Sequence, residues 1–346
     1  MDELKETFML VRAVAGYLYG YTLVAVPVIV NPLTLNLDLK PDESANNVLL
    51  ITPSGTGKTT LLYHILQKSN PKWFTELPDK FFESQILLEP DEKFSRKVWV
   101  FDDLITVFRG TSTKQREQLM GFFNSFLTNG EYSRKGLKKS GRIVCIFGLA
   151  KEHYKEYGKH MFLQTFTDRF MPIKFSFSEG DKEAILELRS GRGNVDLPRV
   201  VLPFKDEPVN INIPREFYSE VNKLALLLDA EGVMSFVRAQ THIINFLKAN
   251  ADLNGRGDVC EADVKLFKLT LPLYFGADSG TADVKVREFI LEASMEGRIV
   301  GGREVEEAVA SKAGVSDRWV RDVLAKLRSE GDVFYREFPE GYEYWI

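Results

Sequence analysis

Residues 49–60 read Leu49-Leu50-Ile51-Thr52-Pro53-Ser54-Gly55-Thr56-Gly57-Lys58-Thr59-Thr60, an apolar run that breaks into a glycine-rich loop. The helical pattern Leu61-Leu62-Tyr63-His64-Ile65-Leu66 follows at once. Small residues let successive backbone N–H groups curl around a polyphosphate, and the helix behind them adds the positive end of its dipole. A lysine and a hydroxyl in the positions of Lys58 and Thr59 supply a fixed charge for phosphate and an oxygen for Mg²⁺. The spacing matches G-x-x-x-x-G-K-[ST] except that Thr52 stands where the first glycine belongs. Pro53, Ser54, Gly55, Thr56, Gly57, Lys58, Thr59 and Thr60 are therefore the candidate phosphate cradle.

Downstream, Lys97-Val98-Trp99-Val100-Phe101-Asp102-Asp103-Leu104 places two carboxylates at the end of an apolar strand. After a phosphate loop, that pattern assigns Asp102 to the magnesium shell and Asp103 to polarising an attacking water. A helical stretch, 115–128, carries Leu119, Met120, Phe122, Phe123, Phe126 and Leu127 on a broad apolar face. Residues 130–142, bounded and divided by glycines, hold Arg134, Lys135, Lys138, Lys139 and Arg142 and read as a hairpin or loop before the apolar run 143–147. Those charges suit either a solvated loop or a finger touching DNA.

Further from the loop, 4–19 reads as an amphipathic helix and 21–39 as one or two strands broken at Asn31-Pro32, with a short strand expected near 85–88. Residues 13–30 lack charge, which a buried helix followed by strands explains better than a membrane span. A strand at 173–177 and a short helix at 182–189 precede a proline- and glycine-punctuated stretch, 191–214. Helices then follow at 215–229, 235–251 and 261–269. From 282 on, three helices and a closing hairpin follow the order of a winged helix-turn-helix. In its third helix, 317–329, Trp319, Val320, Val323, Leu324 and Leu327 are expected to face inward. Arg318 and Arg321 on that helix and Arg336 on the hairpin are candidate DNA contacts.

The chain has 346 residues, 44% of them hydrophobic, enough for two or three cores. Its net charge of −4 excludes a globally basic nucleic-acid binder, so DNA contact requires local patches. Two cysteines, Cys145 and Cys260, and four scattered histidines make neither a disulfide framework nor a zinc pattern, and a reducing cytoplasm is expected.

Taken together, these motifs resemble an AAA+ ATPase, most closely the minichromosome-maintenance (MCM) helicase branch, with origin-recognition initiators next. The resemblance covers roughly residues 47–346. Residues 52–59 and 98–103 are similar to the two Walker elements. Thr167-Asp168-Arg169-Phe170 is similar to the step that carries an arginine to a neighbouring subunit's γ-phosphate, which implies that role for Arg169. Residues 235–240 and 258–264 resemble the sensor 2 helix and its successor, implying a nucleotide role for Arg238. The basic segment 130–142 stands where that family has its pre-sensor hairpin. Three departures stand out: too few residues precede the loop for an amino-terminal oligonucleotide-binding domain, Asp103 replaces glutamate, and Gly148-Leu149, with no polar group, follows the strand 143–147 where sensor 1 belongs.

The resemblance implies an amino-terminal helix and strands (1–46), an AAA+ α/β nucleotide-binding core (47–178), a helical lid (179–280) and a winged helix-turn-helix (281–346). It implies ATP and Mg²⁺ as cofactors, DNA as partner, and a homo-oligomer, of which a ring is one form, away from membranes. The activity expected is ATP hydrolysis coupled to replication of a small replicon, as helicase or initiator. Two alternatives are an ATP-switched DNA- or partner-binding regulator with slow or absent hydrolysis, and a plain ATPase whose winged helix binds protein.

Overall fold

Apolar runs of five to eight residues, buried on both sides, are what a parallel sheet covered by helices on each face requires. In a computed structural model the described residues are 2–40, 43–76, 83–105, 112–157, 168–191, 196–276, 280–339 and 341–346. The strands are β1 (Asn47–Thr52), β2 (Phe74–Glu76), β3 (Lys97–Phe101), β4 (Glu131–Arg134), β5 (Leu137–Ser140), β6 (Ile143–Ala150), β7 (Phe170–Lys174), β8 (Val300–Gly301), β9 (Phe334–Phe338) and β10 (Gly341–Trp345). A five-stranded sheet runs β2-β3-β6-β1-β7, parallel throughout. The molecule is thus mixed α/β, an arrangement compatible with a nucleotide-binding domain.

Side chains alternate across that sheet. Val48 and Leu50 enter one core, Leu49 and Ile51 the other. Among the described residues the α-helices are α1 (Lys5–Ala15), α2 (Thr22–Val30), α3 (Glu83–Ile86), α4 (Thr113–Asn129), α5 (Lys151–Tyr157), α6 (Glu179–Gly191), α7 (Tyr218–Ala230), α8 (Phe236–Leu253), α9 (Glu261–Phe275), α10 (Ala282–Met295), α11 (Gly302–Ala313) and α12 (Asp317–Ser329). A capping box between Ser112 and Gln115 starts α4. Its Phe122, Phe123 and Phe126 then close over Trp99 and Phe94.

Two expected strands are helical. Residues 22–30 form α2, followed by a 3₁₀ turn at Asn31–Asn36, and 83–86 form α3. Every residue of α2 is buried, so its valine-rich run lacks the polar stripe that marks a helix in sequence. Burial on all sides decided the outcome over the β propensity of valine. Among the described residues no helix is long and apolar enough to cross a membrane.

The C-terminal unit packs α10, α11 and α12 against an antiparallel sheet of order β8-β10-β9. The helix α10 also joins it to the body: Lys285 lies 2.8 Å from Asp181, and Thr22 donates to Glu292 at 2.9 Å. Arg287 and Lys268 converge on the buried Asp332, at 2.9 and 3.4 Å. Removing 281–346 would therefore uncover part of α2 and α9.

One glycine sets the spacing of the central strands. Phe101 pairs with Phe147, so Asp102 lies beside Gly148, and a Cβ there would stand 2.2 Å from the Asp102 carbonyl oxygen. We expect Gly148→Ala to push β3 and β6 apart and cost about 1–3 kcal/mol in urea unfolding. Gly121→Ala, on an open helical face, should instead be neutral or stabilising. Equal stability of the two variants would show that this close approach is not required.

Candidate functional site

At the C-terminal end of β1 the chain turns through Gly55 (φ 77°) and Gly57 (φ 97°), conformations that L side chains rarely adopt. The Lys58 ammonium lies back across this turn, donating to Thr52 Oγ1 at 3.0 Å, Pro53 O at 3.1 Å and Thr52 O at 3.3 Å. Thr52, the residue that departs from the motif, therefore has a place in it: its buried hydroxyl also meets Thr56 Oγ1 at 2.7 Å. Thr56 in turn donates to Pro53 O at 2.9 Å, which ties both ends of the loop together. The helix Thr60–Gln67 leads away from the loop, wound as a π-helix.

Sequence reasoning missed the wall behind this loop. Tyr21, at the start of α2, donates to Thr56 O at 3.0 Å, and burial pushes its hydroxyl pKa up to about 12. Leu18 Cδ2 would lie 3.3 Å from a Cβ at Gly57. Reading 21–39 as strands gave no sign of this contact, which Tyr21 makes from the residue before α2.

The carboxylates expected at the end of β3 are beside it. Asp102 Oδ2 accepts from Thr59 Oγ1 at 2.7 Å. Burial pushes the Lys58 pKa down, while Asp103, Asp102 and Glu152 pull it up. Glu152 and its neighbour His153 were not foreseen. The strand β6 runs on to Ala150, so Gly148-Leu149 lies within it and Lys151, Glu152 and His153 open α5 at the strand's end. His153 Nδ1 stands 3.9 Å from Asp103 Oδ1. The strand end expected at Phe147 is thereby corrected to Ala150. Gly148 resembles a strand break in sequence, but it is the residue that allows close approach to Asp102.

The two arginines sit elsewhere. Arg169 donates to Thr128 Oγ1 at 3.1 Å and Asn124 O at 3.3 Å, and its carbonyl accepts from Asn47 at 3.3 Å. Asn47 opens β1 and pairs with Phe170, so Arg169 lies at the opposite end of that strand from the glycine-rich loop. A six-residue strand spans about 20 Å. Arg238 is on the Arg169 side: it is ion-paired with Asp168, which also accepts from Ser235 N at 3.0 Å. Burial, with Arg238 close by, lowers the Arg169 pKa. Thr167 lies outside the described residues.

The basic segment is a hairpin, as expected, but most of its charge is met within the chain. Arg134 pairs with the buried Glu83, Lys138 with Glu131 at 2.6 Å, and Lys139 with Asp91 at 2.7 Å. Lys135 occupies the tip in a left-handed conformation (φ 50°). In the C-terminal unit Arg318 is exposed, Arg321 lies 3.6 Å from Glu306, and Arg336 lies 2.8 Å from Glu343. Trp319, expected to face inward, is 61% exposed, because Val320, Leu324 and Leu327 complete the buried stripe without it.

Among the described residues no group of three or more His, Cys, Asp or Glu side chains is placed to hold a metal ion. Thr59 and Asp102 offer two adjacent oxygens, a set that suits a magnesium ion whose remaining ligands are phosphate and water. No family model matches the chain, and no curated protein matches it either.

Proposed function

We propose that this protein binds MgATP at the glycine-rich loop and hydrolyses it as an AAA+-type ATPase acting on DNA, in the manner of an MCM-like helicase or initiator. The observation that carries this reading is the convergence of Lys58, Thr59, Asp102 and Asp103 at the ends of β1 and β3. Lys58 is a buried point charge held by neutral oxygens, free to turn to the β- and γ-phosphates. Thr59 and Asp102 hold Mg²⁺, which when bound neutralises phosphate charge. Asp103 orients the attacking water, with His153 beside its carboxylate in the place of the polar group absent from Gly148-Leu149. Arg169 and Arg238, on the far side of the sheet, serve the nucleotide of a neighbouring copy, and the C-terminal unit is a winged helix that meets DNA.

Steady-state ATPase assays with and without single- and double-stranded DNA test the whole reading; turnover that no DNA stimulates ends the motor part of it. The two aspartates should also separate by role. Asp103→Asn is expected to keep MgATP affinity and lose turnover about 100-fold or more, the usual contribution of a general base. Asp102→Asn should weaken the Mg²⁺ dependence of binding itself. Equal effects on binding, measured by calorimetry over a magnesium series, would overturn the assignment.

A second reading, an ATP-switched binder with slow hydrolysis, is favoured by the ion pairs that Glu83, Glu131 and Asp91 make with the hairpin cations. A hairpin so neutralised adds little to binding a polyanion. Under that reading DNA affinity follows nucleotide state, and turnover stays at its basal rate.

A further inference from the structure

The C-terminal unit contains a cleft of about 970 Å³ between α12, the start of α11 and the β9–β10 hairpin. Its lining sets three aromatic rings, Phe338, Tyr342 and Tyr344, among three guanidinium groups, Arg303, Arg321 and Arg328. The central guanidinium carbon of Arg328 lies 3.7 Å from the centre of the Tyr342 ring, and Arg328 donates to the Tyr344 hydroxyl at 2.9 Å, so its head group is held over the Tyr342 ring. Arg321 is 3.6 Å from Glu306, and Asp322 and Glu343 line the same cleft. Three cations against three carboxylates leave it close to neutral.

A groove that follows a phosphate backbone needs excess positive charge. This one has instead the exposed Phe338 ring and the half-buried Tyr342 ring for stacking, with Tyr344 buried behind them, and guanidinium and carboxylate groups that offer both donors and acceptors. Those features match the face and edge of a nucleobase. A base inside a duplex is stacked on both sides and cannot present its face, so the ligand must be unpaired or extruded.

We propose that this cleft binds an unpaired base of single-stranded nucleic acid, stacked in the layer formed by Tyr342 and Arg328. The proposal rests on the reading that the protein acts on DNA. It separates two nucleic-acid surfaces on one small unit: the exposed Arg318 side of α12 for duplex phosphates, and the cleft for a displaced strand.

The test uses the full chain with three labelled probes of equal length: a deoxythymidine oligonucleotide, an abasic strand and a blunt duplex. Fluorescence anisotropy is read over a salt series. The deoxythymidine strand should bind with a shallow salt dependence, and the abasic strand at least several-fold more weakly. Tyr342→Ala should weaken the deoxythymidine strand about 10-fold, within the range for loss of one stacked base, and leave the duplex unchanged. Tyr342→Phe should retain binding. If Tyr342→Ala disturbs the hairpin, Phe338→Ala at the 38% exposed rim supplies the same comparison. Equal binding of the abasic and deoxythymidine strands, or equal loss of single strand and duplex in the variants, overturns the proposal while the DNA reading stands. If none of the three probes binds, the DNA reading fails and takes the proposal with it.

Discussion

Lys58→Ala is expected to lower MgATP affinity about 100-fold, close to 3 kcal/mol, the upper range for a hydrogen bond to a charged partner. The ammonium is buried, and the three oxygens it touches, Thr52 Oγ1, Thr52 O and Pro53 O, are all neutral. Asp103, Asp102 and Glu152 act on its charge from nearby, but its donors rest on neutral oxygens that a phosphate can replace. The loop should keep its shape without the lysine, since the Thr52–Thr56 and Thr56–Pro53 hydrogen bonds and the two left-handed glycines do not depend on it. Lys58→Arg should fail as well, because a planar guanidinium does not fit a space that holds a compact ammonium. Isothermal calorimetry checks both variants. Undiminished ATP binding by Lys58→Ala would remove the basis for a nucleotide site here.

Arg169→Ala is expected to bind MgATP normally yet lose turnover about 1,000-fold, the lower end of what an arginine completing a phosphoryl-transfer site contributes. The reason is distance. Arg169 stands at the N-terminal ends of β1 and β7, about 20 Å along the strand from the loop, and cannot touch the phosphate bound by its own chain. Any effect on hydrolysis must therefore pass between copies. Mixing Arg169→Ala with Lys58→Ala should restore part of the activity, since each supplies what the other lacks. Because Arg169 also fastens β7 to α4 through Thr128 and Asn124, the unfolding midpoint of the variant must be measured alongside. A monomeric protein that retains full turnover after Arg169→Ala would defeat the shared-site reading.

Features that depend on neighbours a few residues apart were legible from the amino-acid order. The turn through Gly55 and Gly57, the carboxylates after β3 and the hairpin between Gly130 and Gly141 all follow from local sterics and short spacings. The helix order of the C-terminal unit was legible for the same reason: its apolar stripes repeat at helical period.

Tertiary structure alone decided the rest. The helix α2 is buried on every side, and Tyr21 just before it reaches the loop, a contact no periodicity announces. The close approach of Asp102 explains why a glycine lies inside β6, and hence why Glu152 and His153, well beyond the apparent strand end, reach the site. Glu83 and Asp91 neutralise hairpin cations far along the chain, because ion pairs depend on distance in space. Local order thus determined which elements form at the loop, the β3 carboxylates and the hairpin. Packing between distant segments determined which charges remain available, since burial and long-range pairing act only once the chain has closed on itself.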